Sequence, residues 1–211
     1  MAKHLARLVE RYPALEACTD QLTGALEILV AAYENGHKLL VCGNGGSAAD
    51  SEHIVGELMK GFLKPRRISA EDAASLTSVA GELGKQLAAR LQTALPAISL
   101  VSQTSLISAI SNDTSGEMVF AQQVYGLGKS GDVLLGITTS GNSANILQAL
   151  AVAKTFALKT IILTGQGGGQ AGPMADVAIR VPATSVAEIQ ELHVPVYHWL
   201  CIELEEHFFG Q

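Results

Sequence analysis

Aromatic residues make up only 5% of this 211-residue chain, and cysteines number three. With so few rings, small aliphatic side chains must fill much of the core. Cys18, Cys42 and Cys201 show no C-x-x-C spacing. An odd, sparse set in a chain of this size points to reduced cytosolic thiols. Nor is there an apolar run near the ~20 residues of a membrane span. The opening stretch, MAKHLARLVERYP, lacks a secretory apolar core, so the expectation is a cytoplasmic protein with no membrane partner. Basic charge is short as well: the formal net charge is -6 and the pI about 5.5. That argues against a general nucleic-acid binder, which needs a positive surface, but leaves room for a local anion site. Charged residues are 16% and hydrophobic residues 48%, the balance of a globular chain long enough for one domain with a sizeable core.

What is present is an alternation. Residues 3 to 35 read as helix, with Leu22, Leu26, Leu29 and Val30 at helical spacing and Asn35-Gly36 as the stop. Five short apolar runs follow: KLLVC (38–42), AISLV (97–101), VLLGI (133–137), TIILT (160–164) and VAIRV (177–181). Each is bounded by turn residues and reads as a strand buried on both faces of a parallel sheet. Helical patterns lie between them, and a long last helix carries Pro195 inside it. The expected fold is a doubly wound, three-layer α/β sandwich with a five-stranded parallel sheet, flavodoxin-like. Residues 63–96 lengthen the first crossover by about 25 residues over a short connection. They read as a helical insertion, one helix or a pair, capped at Ser69.

Three strand ends run into small polar turns: GNGGS (43–47), TTSGNS (138–143) and TGQGGG (164–169). Ligands of open α/β sheets bind beyond the carboxyl ends of the strands. Glycine lets backbone come close, hydroxyls donate hydrogen bonds, and helix N-termini attract anions. Capping is the plain alternative, since Ser47 with Asp50 fits a capping box and Ser143 could cap its helix. Four hydroxyls in one turn exceed what capping needs, which favours a phosphate. Gly43, Gly45 and Ala48 fit G-x-G-x-x-A, but no acidic second strand follows, so a dinucleotide is discounted. The P-loop pattern is absent, and ATP is unsupported.

After the first turn, Ile54, Val55, Leu58, Met59 and Phe62 form an apolar helix face; Asp50, His53 and Glu57 form a polar one. His53 and Glu57, four apart, are neighbours. They are either a solvated pair, or a metal site or base with partners elsewhere. Gln190, His193 and His198 in the apolar last helix are further candidates.

Taken together, CGNGGSAADSEHIVGEL, GDVLLGITTSGNSANI, TIILTGQGGG, ADVAIRVP and EIQELHVPVYH closely resemble the sugar-isomerase (SIS) domain family. Within it they resemble the phosphoheptose isomerases. The resemblance implies one SIS domain over residues 1–211. It also implies a ketose–aldose isomerase acting on sedoheptulose 7-phosphate, through an enediol, for bacterial surface polysaccharide. By motif, His53, Glu57, Gln190 and His198 match zinc ligands, and Glu57 and His198 the catalytic base and acid–base partner. Ser47, Thr138, Thr139, Ser140 and Ser143 match phosphate-binding hydroxyls. Asn44, Gly45, Gly46, Asp113 and Gln190 match other substrate-binding positions. His193 matches a histidine that is not a ligand, and Arg66 and Arg67 remain candidates for substrate contact. The family implies homotetramers with sites at subunit contacts. Gln190 and His198 lie about 12 Å apart along a helix, so the sequence predicts a site shared between chains.

Overall fold

The structure is a computed structural model that describes residues 4–210. The strands are β1 (Leu39–Gly43), β2 (Ala97–Ser99), β3 (Val133–Thr138), β4 (Lys159–Gly165) and β5 (Val177–Val181). They pair in parallel in the order β2-β1-β3-β4-β5. The expected sheet is therefore present, though β2 is shorter than its apolar run. Successive side chains of a strand point to opposite faces, and each face here has its own core. Leu39, Val41, Leu135, Ile137, Ile161 and Leu163 pack on one side, with α2 (Thr19–Glu34), α3 (Gly46–Leu58) and α9 (Val186–Phe209). Leu40, Cys42, Leu134 and Ile162 pack on the other, with α5 (Thr104–Asp113), α6 (Val119–Leu127) and α7 (Ala144–Thr155). Covering both faces is what makes the strands uniformly apolar.

The N-terminal segment departs from one helix. It breaks into α1 (Leu5–Arg11), a 3-10 turn (Pro13–Cys18) and α2. Proline lacks the amide that would continue α1, and it opens the turn as its first residue. Residue 3 of the predicted helix lies outside the described residues. The 63–96 segment is the helical pair. Ser69 accepts from the Asp72 amide at 3.0 Å and caps α4 (Ala70–Ala88). Gly81, at φ +56°, breaks α4, and beyond it Gly84 packs against Leu76. A four-residue helix, α8 (Ala171–Met174), precedes β5. The three cysteines are free and buried. Among the described residues, no helix is long and apolar enough to cross a membrane.

The chain order of the strands leaves one switch point, between β1 and β3. The helix after β1 goes to one face and the helix after β3 to the other, which opens a crevice at their carboxyl ends.

Candidate active site

Two turns form the crevice, Gly43–Ser47 and Thr138–Ser143. In neither does the expected hydroxyl cap the helix that follows. Helix α3 has Gly45, not Ser47, at its N-cap and no side-chain cap. The capping box is not formed, and Ser47 lies buried in the first turn. Ser143 stands at the N-cap of α7 yet caps nothing with its side chain. Its Oγ meets the Thr138 Oγ1 at 3.1 Å. Ser140 Oγ accepts from the Asn142 amide at 3.1 Å. The hydroxyls thus line the crevice between two helix N-termini, an anion-binding arrangement.

The crevice is braced on each side. Asn44 and Asn145 exchange two amide hydrogen bonds of 2.9 Å, tying the first turn to α7. Gly141 holds φ +68°, and a Cβ there would collide with the Gly168 carbonyl. The third glycine turn therefore serves as a buttress behind the second.

Along α3 the site changes character. His53 Nε2 lies 3.2 Å from Glu57 Oε1 and 3.4 Å from His198 Nε2. The second Glu57 oxygen accepts from Lys60 Nζ at 3.2 Å. The predicted pair is thus joined by a histidine 145 positions away. Phe62, beyond the end of α3, sits 5.6 Å from the His198 ring. Met59, expected in the apolar face, is exposed. Burial, and then His53, hold the His198 imidazole below its ordinary pKa against the pull of Glu57.

Gln190 is not beside this cluster. Its Nε2 lies where a Cβ on Gly46 would come within 2.6 Å, so it faces the first turn. Helices α3 and α9 run alongside each other, Gly46 by Gln190 and His53 by Tyr197 and His198. Those pairings put Gln190 at the Gly46 end of α3 and His198 at the His53 end. The 12 Å that argued for a shared site separates two ends of one crevice, and a single chain brings Glu57 and His198 together.

Arg66 does not face substrate. It is among the most deeply buried side chains, and its Nε donates to Glu205 Oε1 at 2.8 Å. Its other nitrogens donate to the Leu58 and Glu57 carbonyls, closing the end of α3. Arg67 lies in the bridge to Gln92 and accepts from Thr93 Oγ1 through its carbonyl. Asp113, at the end of α5, is exposed and accepts from Asn112 Nδ2 at 2.9 Å. His193 is fully buried between α9 and the sheet. Its ring faces the Thr164 carbonyl, although neither nitrogen reaches a partner at hydrogen-bond geometry.

Two contributors had no role assigned by sequence reasoning, although Asp50 was placed on the polar face with His53 and Glu57. Tyr197 Oη bonds His53 Nδ1 at 3.0 Å and Asp50 Oδ1 at 3.3 Å. Asp50 stands three residues before His53 on one helix face, and that spacing was the available signal. For Tyr197 there was only its place beside His198.

The sequence pattern of the SIS domain matches residues 3–86 and 73–165. The chain belongs to the SIS domain family. A phosphoheptose isomerase from a Nitratiruptor species is 39% identical over 213 residues, covering 99% of this chain and 100% of the relative. One from Helicobacter pylori is 38% identical over 195 residues, covering 92% and 88%. Among solved structures, the phosphoheptose isomerase of Neisseria gonorrhoeae superposes with a TM-score of 0.74 at 33% identity. It covers 97% of this chain and 96% of that one.

Proposed function

We propose that this SIS protein isomerises a ketose phosphate to an aldose phosphate through an enediol, with sedoheptulose 7-phosphate as substrate. One observation carries the reading: a hydroxyl-lined anion site and an acid–base cluster stand at two levels of the same helix. Six residues, about 9 Å of helix, separate Ser47 from His53. That separation suits a long sugar chain held by its phosphate, with its carbonyl end at His53, Glu57 and His198. The relatives' names supply the seven-carbon sugar.

Isomerisation moves a proton between neighbouring carbons. Glu57 takes the proton from the carbon acid, and His198 exchanges protons with the oxygens. Thr138, Thr139, Ser140, Ser143 and Ser47 hold the phosphate, with Asn44, Gly45 and Gly46 closing the first turn around it. Gln190 contacts the substrate above Gly46. Asp113 and its sugar-contacting role remain part of this proposal.

Zinc is the proposed cofactor. Donors around a tetrahedral zinc at ~2.0–2.1 Å stand about 3.4 Å from each other, and the separations at His53 Nε2 are 3.2 and 3.4 Å. The donors are poised but not preassembled: among the described residues no group of three or more His, Cys, Asp or Glu surrounds a common ion position. His53, Glu57 and His198 would hold the ion, with Gln190 a ligand only after moving. An ion held there would supply Lewis-acid polarisation of the substrate carbonyl.

A homotetramer in the cytoplasm belongs to the same proposal. Exposed Val79, Leu83 and Leu87 on α4 support an assembly that covers them. Sedimentation would measure its size.

The test of the activity is a panel of ketose phosphates followed by NMR. Sedoheptulose 7-phosphate should give the aldose, chelation should lower the rate, and zinc should restore it. Tight binding with no turnover on any sugar phosphate would favour a sensor instead.

A further inference from the structure

We propose that Tyr197 is a positioning residue that sets the tautomer of His53, linking its Nδ1 to Asp50. His53 thereby presents a bare Nε2 to Glu57 and His198. The functional meaning rests on the activity proposed above; the tautomer does not.

The argument is a count of hydrogens. A neutral imidazole carries one N–H, a phenol carries one O–H, and an ionised carboxylate only accepts. Tyr197 Oη lies 3.3 Å from Asp50 Oδ1 and donates its hydrogen there. The phenol oxygen then has only lone pairs to offer His53 Nδ1, 3.0 Å away. That nitrogen must be the donor. The single imidazole hydrogen is used on Nδ1, and Nε2 is left with its lone pair. That lone pair lies 3.4 Å from His198 Nε2 and 3.2 Å from Glu57 Oε1, acceptor against acceptor, so the position between them calls for a proton or a cation.

The surroundings hold this arrangement. Tyr197 is 2% exposed. Its ring meets that of His53 edge-on, with centroids 5.4 Å apart. Asp50 and His53 share α3, and Tyr197 precedes His198 on α9, so one phenol ties together the two helices that build the cluster. A bare Nε2 can take a metal ion or a proton without first losing a hydrogen. The opposite tautomer would aim an N–H into the place where either must sit. Partners of this kind fix ring orientation in metal-binding histidines, and their loss typically lowers metal affinity 10–100-fold.

Tyr197→Phe removes the oxygen and keeps the ring. The protein would be labelled with 15N-histidine and examined metal-free at pH 8, with His53 assigned through His53→Gln. The wild type should show His53 protonated on Nδ1, and Tyr197→Phe should show a mixture of tautomers. Zinc affinity, measured by titration, should fall about 10–100-fold while the unfolding midpoint stays within the range of a packing-neutral change. An Nε2–H tautomer in the wild type, or a Tyr197→Phe variant with unchanged tautomer and zinc affinity, overturns the proposal. Because the tautomer is read without substrate, its failure is distinct from failure of the isomerase assignment, which the sugar-phosphate panel reads.

Discussion

At the scale of single residues, sequence reasoning named the side chains that cluster at His53 but not the groups that hold them. His53 and Glu57 were legible because a helix places residues four apart side by side. His198 was legible through its motif. Tyr197 was not, since no spacing rule connects residues 53 and 197. Arg66 stayed an open candidate in the sequence because a cation near a substrate loop and a cation plugging a helix end look alike until burial is known. His193 stands apart from the acid–base cluster, and its environment makes a prediction. Burial pushes its pKa down to about 4 from 6.5. A depressed pKa means that the unfolded chain binds the proton first as pH falls. The stability tied to neutral His193 is therefore complete above pH 6.5 and is lost between pH 6.5 and about 4. Roughly 2.5 pH units at 1.36 kcal/mol each give about 3 kcal/mol. Urea unfolding of wild type and His193→Leu at pH 7.5 and pH 4 should show the wild type losing about that much more than the variant. Equal losses would mean that the ring is solvated when folded.

At the scale of elements, the segment after α3 depends on one buried ion pair. Glu205 accepts from the Phe62, Leu63 and Lys64 amides and from Arg66. Burial pushes its carboxyl up, but the Phe62 and Leu63 amides and the Arg66 guanidinium outweigh that and hold it below the ordinary range. Arg66 also lies over the Phe209 ring. Removing one partner of a buried pair typically costs 3–5 kcal/mol, because the other charge is stranded. Arg66→Met should destabilise by about that amount, and adding Glu205→Gln should recover part of it. The KM of active Arg66→Met should match wild type, measured well below its unfolding transition. A large KM rise without destabilisation would restore Arg66 as a substrate contact. The turns illustrate what element-level reading could and could not settle. Their composition announced a ligand or a cap, and the N-caps at Gly45 and Ser143, without side-chain caps, removed the cap.

At the scale of the molecule, the sheet was largely legible. Five apolar runs bounded by turn residues can hardly be anything but buried parallel strands. The break at Pro13 was missed because helical periodicity in α2 dominated the reading of what precedes it. The shared-site argument rested on a single premise. It assumed that Gln190 and His198 serve one point, whereas the crevice is long enough to use them at two levels. Hybrids separate the two arrangements. Co-refolded Glu57→Gln and His198→Asn chains, each inactive alone, should remain at background, since every site keeps one lesion. Recovered activity would place the two residues on different chains.

The central claim is proton transfer at Glu57 in a chain that holds a sugar phosphate by its other end. It is tested most directly by turning over sedoheptulose 7-phosphate in D2O and locating deuterium in the aldose by NMR. The wild type should give product deuterated at C2. Glu57→Gln should bind the substrate yet lower both turnover and deuterium incorporation by roughly 10²-fold or more, the contribution of a positioned base. Undiminished incorporation in Glu57→Gln would contradict the account.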